Sequence, residues 1–263
     1  MMKYLLIGVI LYIMFGINNI LGIVATVLGV AYIVFINRAS IYARKGFMAL
    51  QKKDNKKALE YYEKAYKTNK ASADIVLTYG IMLLRNARPE EAEFIFNLTV
   101  LNPRAKAEVK NKAKQYRALT YYKLGREDEA LEDAQEIFES YKNSFSYGLL
   151  GYLMLATNQD LDATYKICLE AYEYNSDDRD ICDNMLVCYL RKNELEEAKK
   201  VSDLMIERFT TFTETYYHSA ILYKKLGDNE KAKSLLEKIS ENCVRTYLTT
   251  VSEEEIEELK KSL

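Results

Sequence analysis

A single histidine, His218, stands among 22 tyrosines and four cysteines, with no tryptophan. One imidazole excludes a His–His dyad or a two-histidine metal site within one chain. No acid is spaced along the sequence to orient it as a general base. Cys168, Cys182, Cys188 and Cys243 form no CxxC pair. Cys182 and Cys188, six apart on a helix, turn to roughly opposite sides. The four read as small buried hydrophobes in a reducing compartment, not as disulfides or zinc ligands. The GxxxxGK[ST] phosphate loop is absent, as are GxGxxG and GxSxG. Acidic runs such as Arg126–Glu132 and Glu253–Glu258 read as solvated helix faces and end caps. The pattern therefore marks no enzyme, and no cofactor or metal is expected. With 37 Lys and Arg against 38 Asp and Glu, the chain lacks the concentrated basic surface of a nucleic-acid binder.

The elements that carry these residues are helical. Only two prolines and ten glycines interrupt 263 residues, and nearly half the chain is apolar, a globular balance poor in helix breakers. The clearest unit runs from Thr213 to Ile239. Tyr216, Ala220 and Tyr223 mark one helix face, and Ala232, Leu236 and Ile239 mark the next. Between them Gly227-Asp228-Asn229 supplies a turn in which glycine takes a positive φ. A lone helix pair cannot bury both of its faces, so it needs a neighbour on each side. A period near 34 residues places six such pairs at about 39–72, 73–106, 111–144, 144–178, 179–212 and 213–246. Small residues recur across five of the six pairs: Gly46 with Ala58, Gly80 with Ala92, Ala118 with Ala130, Gly151 with Ala163, and Ala220 with Ala232. They let two helices cross within the usual packing distance. Tyr62, Phe96, Tyr121, Tyr189, Tyr223 and Leu236 fill the space beside them.

This spacing resembles the tetratricopeptide repeat family over about four-fifths of the chain. The departures are the missing tryptophan, Leu186 in a small-residue slot, Ala134 and Ser202 in large ones, and about four extra residues near Ala107–Lys110. The resemblance implies an all-α solenoid of about six helix pairs whose first helices line a concave groove. Mapped onto this chain, that groove is lined by Phe47, Leu50, Leu77, Ile81, Tyr116, Leu119, Tyr122, Phe145, Leu149, Tyr152, Val187 and Tyr217. Lys112, Asn184, Arg191 and Lys224 stand beside it as polar anchors. The family's clamp for acidic C-termini lacks its asparagine and lysine set here. A Tyr- and Leu-rich groove suits an apolar peptide or helix instead. Residues 247–263 end the chain as a capping helix, opened by a capping box at Ser252–Glu255, with Ile256 and Leu259 covering the stack.

Residues 1–38 are of another kind. No charge occurs from Tyr4 to Ile36, and one straight helix of that length would be about 50 Å long, well beyond a hydrocarbon core of about 30 Å. A break at Asn18-Asn19 points to a transmembrane hairpin, Met2–Ile17 and Ile20–Ile36. The runner-up is a single span near Ile20–Asn37. The chain from 39 to 72 holds nine Lys and Arg against three acids. With Lys3, this basic flank favours a cytoplasmic C-terminal domain at the cell membrane. Arg44, Lys45, Lys52, Lys53, Lys56 and Lys57 are expected to lie against the anionic leaflet. Gly22, Ala25, Thr26 and Gly29 would let helices approach closely, within the hairpin or between protomers of a homo-oligomer. The function expected is a membrane-anchored, cytoplasm-facing scaffold that binds a protein or peptide partner in its groove. The alternative is a structural or assembly subunit of a larger membrane complex.

Overall fold

The computed structural model describes residues 2–243, 245 and 247–263, with side chains from Leu5 onward. The side chain of Lys3 and the repeat boundary at 246 fall outside what it describes. All regular structure among the described residues is α-helical, in fifteen helices. The chain divides into two compact units, Met1–Tyr79 and Gly80–Leu263.

The first unit opens with α1 (Met2–Ile17) and α2 (Asn19–Ile36). Asn18 alone joins them, extended at φ −162°, its side chain accepting the Ile20 amide at 2.7 Å. Small residues on α2 receive α1: the Phe15 ring lies directly over Gly22, and Ile7 Cγ2 is 3.3 Å from where a Cβ on Gly29 would stand. The chain's own first arm thus packs on Gly22 and Gly29, the close approach within the hairpin that the small residues allow. Among the described residues one helix, α2, is long and apolar enough to cross a membrane, with 18 residues and a mean hydropathy of 2.4. The apolar part of α1, Leu5–Ile17, is shorter.

Asn37 is the whole connection between α2 and α3 (Arg38–Gln51). Its amide donates to Ile33 O at 3.1 Å, and its carbonyl accepts the Ile41 amide at 3.0 Å. The hydrogen-bond ladder therefore runs almost unbroken from one helix into the next. α4 (Asn55–Tyr66) returns antiparallel after a short turn capped by Asp54, which accepts the Lys57 amide at 3.0 Å. Arg38 Nη2 donates to Thr68 O at 3.3 Å and so ties the far end of α4 to the α2–α3 junction. Tyr66 stacks on Tyr79 of α5 (Ala73–Arg85), the helix that the division between units cuts.

The second unit continues with α6 (Pro89–Leu101), α7 (Ala107–Lys123), α8 (Glu127–Ser140), α9 (Ser144–Ala156) and α10 (Leu161–Tyr174). It ends with α11 (Arg179–Lys192), α12 (Leu195–Arg208), α13 (Thr213–Lys225), α14 (Asn229–Asn242) and α15 (Glu253–Lys261). One backbone feature punctuates every pair. Lys53, Ala87, Gly125, Asn158, Asn193 and Gly227 all take positive φ, between 51° and 83°. Each stops the first helix in a left-handed turn, where the chain reverses. Seven residues before each stands Gly46, Gly80, Ala118, Gly151, Leu186 or Ala220, all buried at the helix crossing.

Two sequence expectations meet this geometry differently. The four extra residues lengthen α7, which has 17 residues against 13 in α5, α9 and α13. In the fourth pair Gly151 does not face Ala163, which is exposed. The turn there holds one additional residue, so Thr164 takes the buried place that alanine holds elsewhere. Cys168 Sγ lies 3.1 Å from the position of a Cβ on Gly151 and completes that crossing. Successive first helices touch in this unit (α7 with α9, α9 with α11, α11 with α13), with no second-helix pairing of comparable extent. First helices therefore form the tighter, inner face.

Candidate functional site: the inner face of the second unit and the basic first pair

The inner face begins with an aromatic row. Phe96 stacks on Tyr116 at 5.9 Å, Tyr116 meets Phe145 at 5.2 Å, and Tyr122 meets Tyr152 edge-on at 5.5 Å. Phe96 is fully buried, while Tyr116, Phe145, Tyr122 and Tyr152 keep part of their surface in water. Burial pushes the Tyr116 and Tyr152 hydroxyls above their ordinary range, so both stay neutral donors.

Beyond the row the floor turns acidic. His218 on α13 pairs with Asp183 on α11, Nδ1 to Oδ1 2.6 Å, with 17% and 11% of the side chains exposed. Burial alone would lower the imidazole pKa. The Asp183 charge and hydrogen bond outweigh it, helped by Glu214 and Glu255, and hold it above the usual value. Asp180, at the start of α11, is pushed up to about 6 by desolvation, with Asp178, Asp183 and Glu214 adding to the rise. Glu214 is buried in the first turn of α13. The structure thus gives His218 the orienting partner that linear spacing does not show. Asp183 lies 35 residues earlier, close to one repeat, and the stacking brings it alongside. Other contacts share that separation: Asn184 with Gly148, Arg126 with Glu93, Arg191 with Asn158. A search for chemical partners one repeat apart would have found the pair.

The expected groove residues divide. Tyr116, Leu119, Tyr122, Phe145, Tyr152 and Val187 are half-buried within Gly80–Leu263, as is Ile81. Lys112 and Arg191 are exposed, Lys112 bonded to Glu108. Leu149 is core, and Asn184 is a buried strut whose amide donates to Gly148 O at 2.8 Å, so neither lines an open surface. Tyr217 packs against the cluster that holds Ile256 and Leu259 of α15, and Lys224 bonds Ser262. The chain's own C-terminal end engages both. In the first unit Phe47 is 55% exposed, Leu50 is half-buried and Leu77 is core.

The basic set also divides. Arg44 and Lys45 are exposed midway along α3. Lys52, Lys53, Lys56 and Lys57 cluster at the α3–α4 turn, where Lys45, Lys52 and Lys57 edge a shallow cavity of about 340 Å³. This is the end of the helix pair away from Asn37. A 14-residue helix rises about 20 Å, so the turn lies that far along α3 from the end of α2. At the near end stand Arg38, over the Phe35 ring at 4.1 Å, and the exposed Lys67 and Lys70.

Among the described residues no three His, Cys, Asp or Glu side chains converge as metal ligands. The four cysteines are free. Cys168, Cys182 and Cys188 are buried, and Cys243 is half-buried.

Tetratricopeptide repeat models match residues 49–116, 112–144 and 213–241. The fold is similar to that of pilF from Pseudomonas aeruginosa, at TM-score 0.60 and 17% identity over 87% of this chain and 99% of that one. A tetratricopeptide repeat protein from Parabacteroides merdae aligns at TM-score 0.56 and 16% identity, over 85% and 97%. A chain of the APC/C hetero-tetramer Cut9–Hcn1 aligns at TM-score 0.67 and 12% identity, over 85% of this chain but 42% of its own. No curated protein matches. With these matches and helix pairs reversing at six left-handed turns, the chain carries tetratricopeptide repeats in an all-α solenoid.

Proposed function

We propose that this chain is a non-enzymatic, membrane-tethered scaffold that holds a protein or peptide segment on the inner face of residues 80–263, on the cytoplasmic side of the bilayer. The carrying observation is the half-buried row Tyr116, Phe145, Tyr122 and Tyr152 on that face, in a repeat fold suited to protein interaction. Aromatic side chains give a large contact area at small entropic cost. The tether reading is supported by α2, uncharged throughout, and by Asn37, which leaves no loop between it and the first pair. The basic residues from Arg38 onward support the cytoplasmic side. An assembly subunit joined through Gly22 and Gly29 is less favoured, because Phe15 and Ile7 already occupy that face.

The test uses the intact chain in its membrane. A photo-crosslinking residue at Tyr122 or Leu119 should trap a partner, and Tyr116→Ala with Tyr152→Ala should abolish the crosslink. The same residue at Glu136, exposed on α8, should trap none. Crosslinks from Glu136 alone would transfer the function to the outer helices and overturn the groove reading.

A further inference from the structure

The connection between α14 and α15 does not stay at the end of the stack. The Thr250 amide and hydroxyl both donate to Oε1 of Glu214, each at 2.7 Å. Glu214 is 2% exposed. A carboxylate withdrawn from water needs donors, and Thr250 brings two from 36 residues away. Three residues earlier, the Tyr247 ring lies 5.4 Å from Lys123 Nζ, in the last turn of α7. Val251 is buried with Tyr216, Ile256 and Leu259, which fixes the other end. The segment thus leaves the sixth repeat and reaches the third, running from Glu214 on α13 to Lys123 on α7 across the first helices that form the inner face.

We propose that Tyr247–Thr250 is an internal occupant of the inner face, and that an external segment binds by displacing it through the same two anchors. The recognition chemistry follows from the occupant. An aromatic side chain lies against Lys123, and a serine or threonine three positions later gives its amide and hydroxyl to Glu214. This deepens the reading in the preceding subsection and rests on it. An intramolecular segment acts at an effective concentration in the millimolar range, so a weak contact suffices to keep it seated. A displacing partner then binds more weakly than to an empty face by the fraction of time the face is open. Contacts with Tyr122 and Tyr116 would let it compete.

The experiment uses the full chain in detergent micelles and a fluorescent peptide of residues 244–252. Tyr247→Ala with Thr250→Pro releases the occupant and leaves every inner-face residue intact. That variant should bind the peptide about tenfold or more tightly than the wild type, and adding Glu214→Ala, which removes the acceptor, should remove the gain. Equal binding to both, or binding to neither, overturns displacement. A second measurement does not depend on how the variants fold. The Thr250 amide of the wild type should exchange hydrogen at least about tenfold more slowly than in the free peptide. An unprotected Thr250 amide overturns the internal occupant, whatever the crosslinks at Tyr122 show. A protected amide with no such crosslinks sinks the external partner instead.

Discussion

Asp183 and His218 show how a repeat makes chemistry from distant residues. With 17% of the imidazole exposed, its bond to Asp183 is only partly screened. Its raised pKa gives stability a definite pH dependence. The folded state favours the charged imidazole, so the stabilisation is complete below the unfolded pKa of about 6.5 and is lost as pH rises through the higher folded value. Thermal melts should show the wild type losing stability relative to His218→Gln between pH 6 and 8. Parallel curves would show that the pair is not coupled to folding. Asp180 acts in a lower window. Its carboxyl, raised to about 6, favours folding when protonated, and that benefit is lost as pH climbs from about 4 through 6. Its side chain is 48% exposed, so solvent holds the effect below about 1 kcal/mol. The left-handed turns give a second residue-scale test. Ala87 adopts φ 55° although it has a Cβ, at a cost of about 1–2 kcal/mol that glycine avoids. Glycine's greater freedom in the unfolded chain returns part of that, so Ala87→Gly should stabilise by about 0.5–1 kcal/mol in denaturant melts. Gly125→Ala should destabilise by a similar amount. A Cβ there meets nothing within 4 Å, so the cost is purely in the backbone.

At the scale of elements, the 34-residue rhythm was legible because five of the six helix crossings carry a glycine or alanine on the first helix. A Cβ on Gly80 would stand 2.6 Å from the Phe96 ring, and one on Gly46 2.7 Å from Tyr62. The backbone would have to move, so Gly80→Ala should cost about 1–3 kcal/mol through overpacking, read as a lowered melting temperature. The fourth pair was misread for a physical reason. One added turn residue moves the second helix by a position, and Ala163 beside Thr164 offers two small candidates for one slot. Less legible still were the polar locks within and between repeats. Arg117 makes a two-pronged pair with Asp133, both bonds 2.6 Å, and also donates to Asn97 at 2.9 Å. Nothing in the spacing of these three residues singles them out from dozens of other charges. Their largely buried pair leaves a costly unpaired guanidinium if broken, so Asp133→Ala should destabilise by about 3 kcal/mol. Arg117→Met with Asp133→Ala should recover part of that loss. A double variant as unstable as the single would show that packing, not charge, sets the cost.

At the scale of the whole molecule, the tether proposed above makes a prediction about which basic residues of the first helix pair would meet a bilayer. The charge run from 39 to 72 pointed to a basic surface but not to its geometry, because a linear count treats both ends of a helix pair alike. With α2 as the tether proposed above, α3 starts one residue beyond the apolar span and carries Lys52 and Lys53 about 20 Å away. Screening in physiological salt acts over about 8 Å, so on an upright tether those lysines would lie too far out to feel an anionic leaflet. Arg38, Lys67 and Lys70 stay near it, held by the Arg38–Thr68 bond. Each such cation is worth about 1 kcal/mol at the surface, less for Lys67, which already pairs with Glu63 at 2.6 Å. In nanodiscs of the intact chain, anionic lipid should slow tryptic cleavage at Lys67 and Lys70 relative to zwitterionic lipid. High salt should reverse that protection, and cleavage at Lys52 and Lys53 should stay unchanged. Replacing Lys67 and Lys70 by Gln should abolish the lipid-dependent shift in amide exchange at 66–72, whereas replacing Lys52, Lys53, Lys56 and Lys57 should not. Equal protection at both ends would mean that the first helix pair lies flat on the bilayer, and the upright tether would then be wrong.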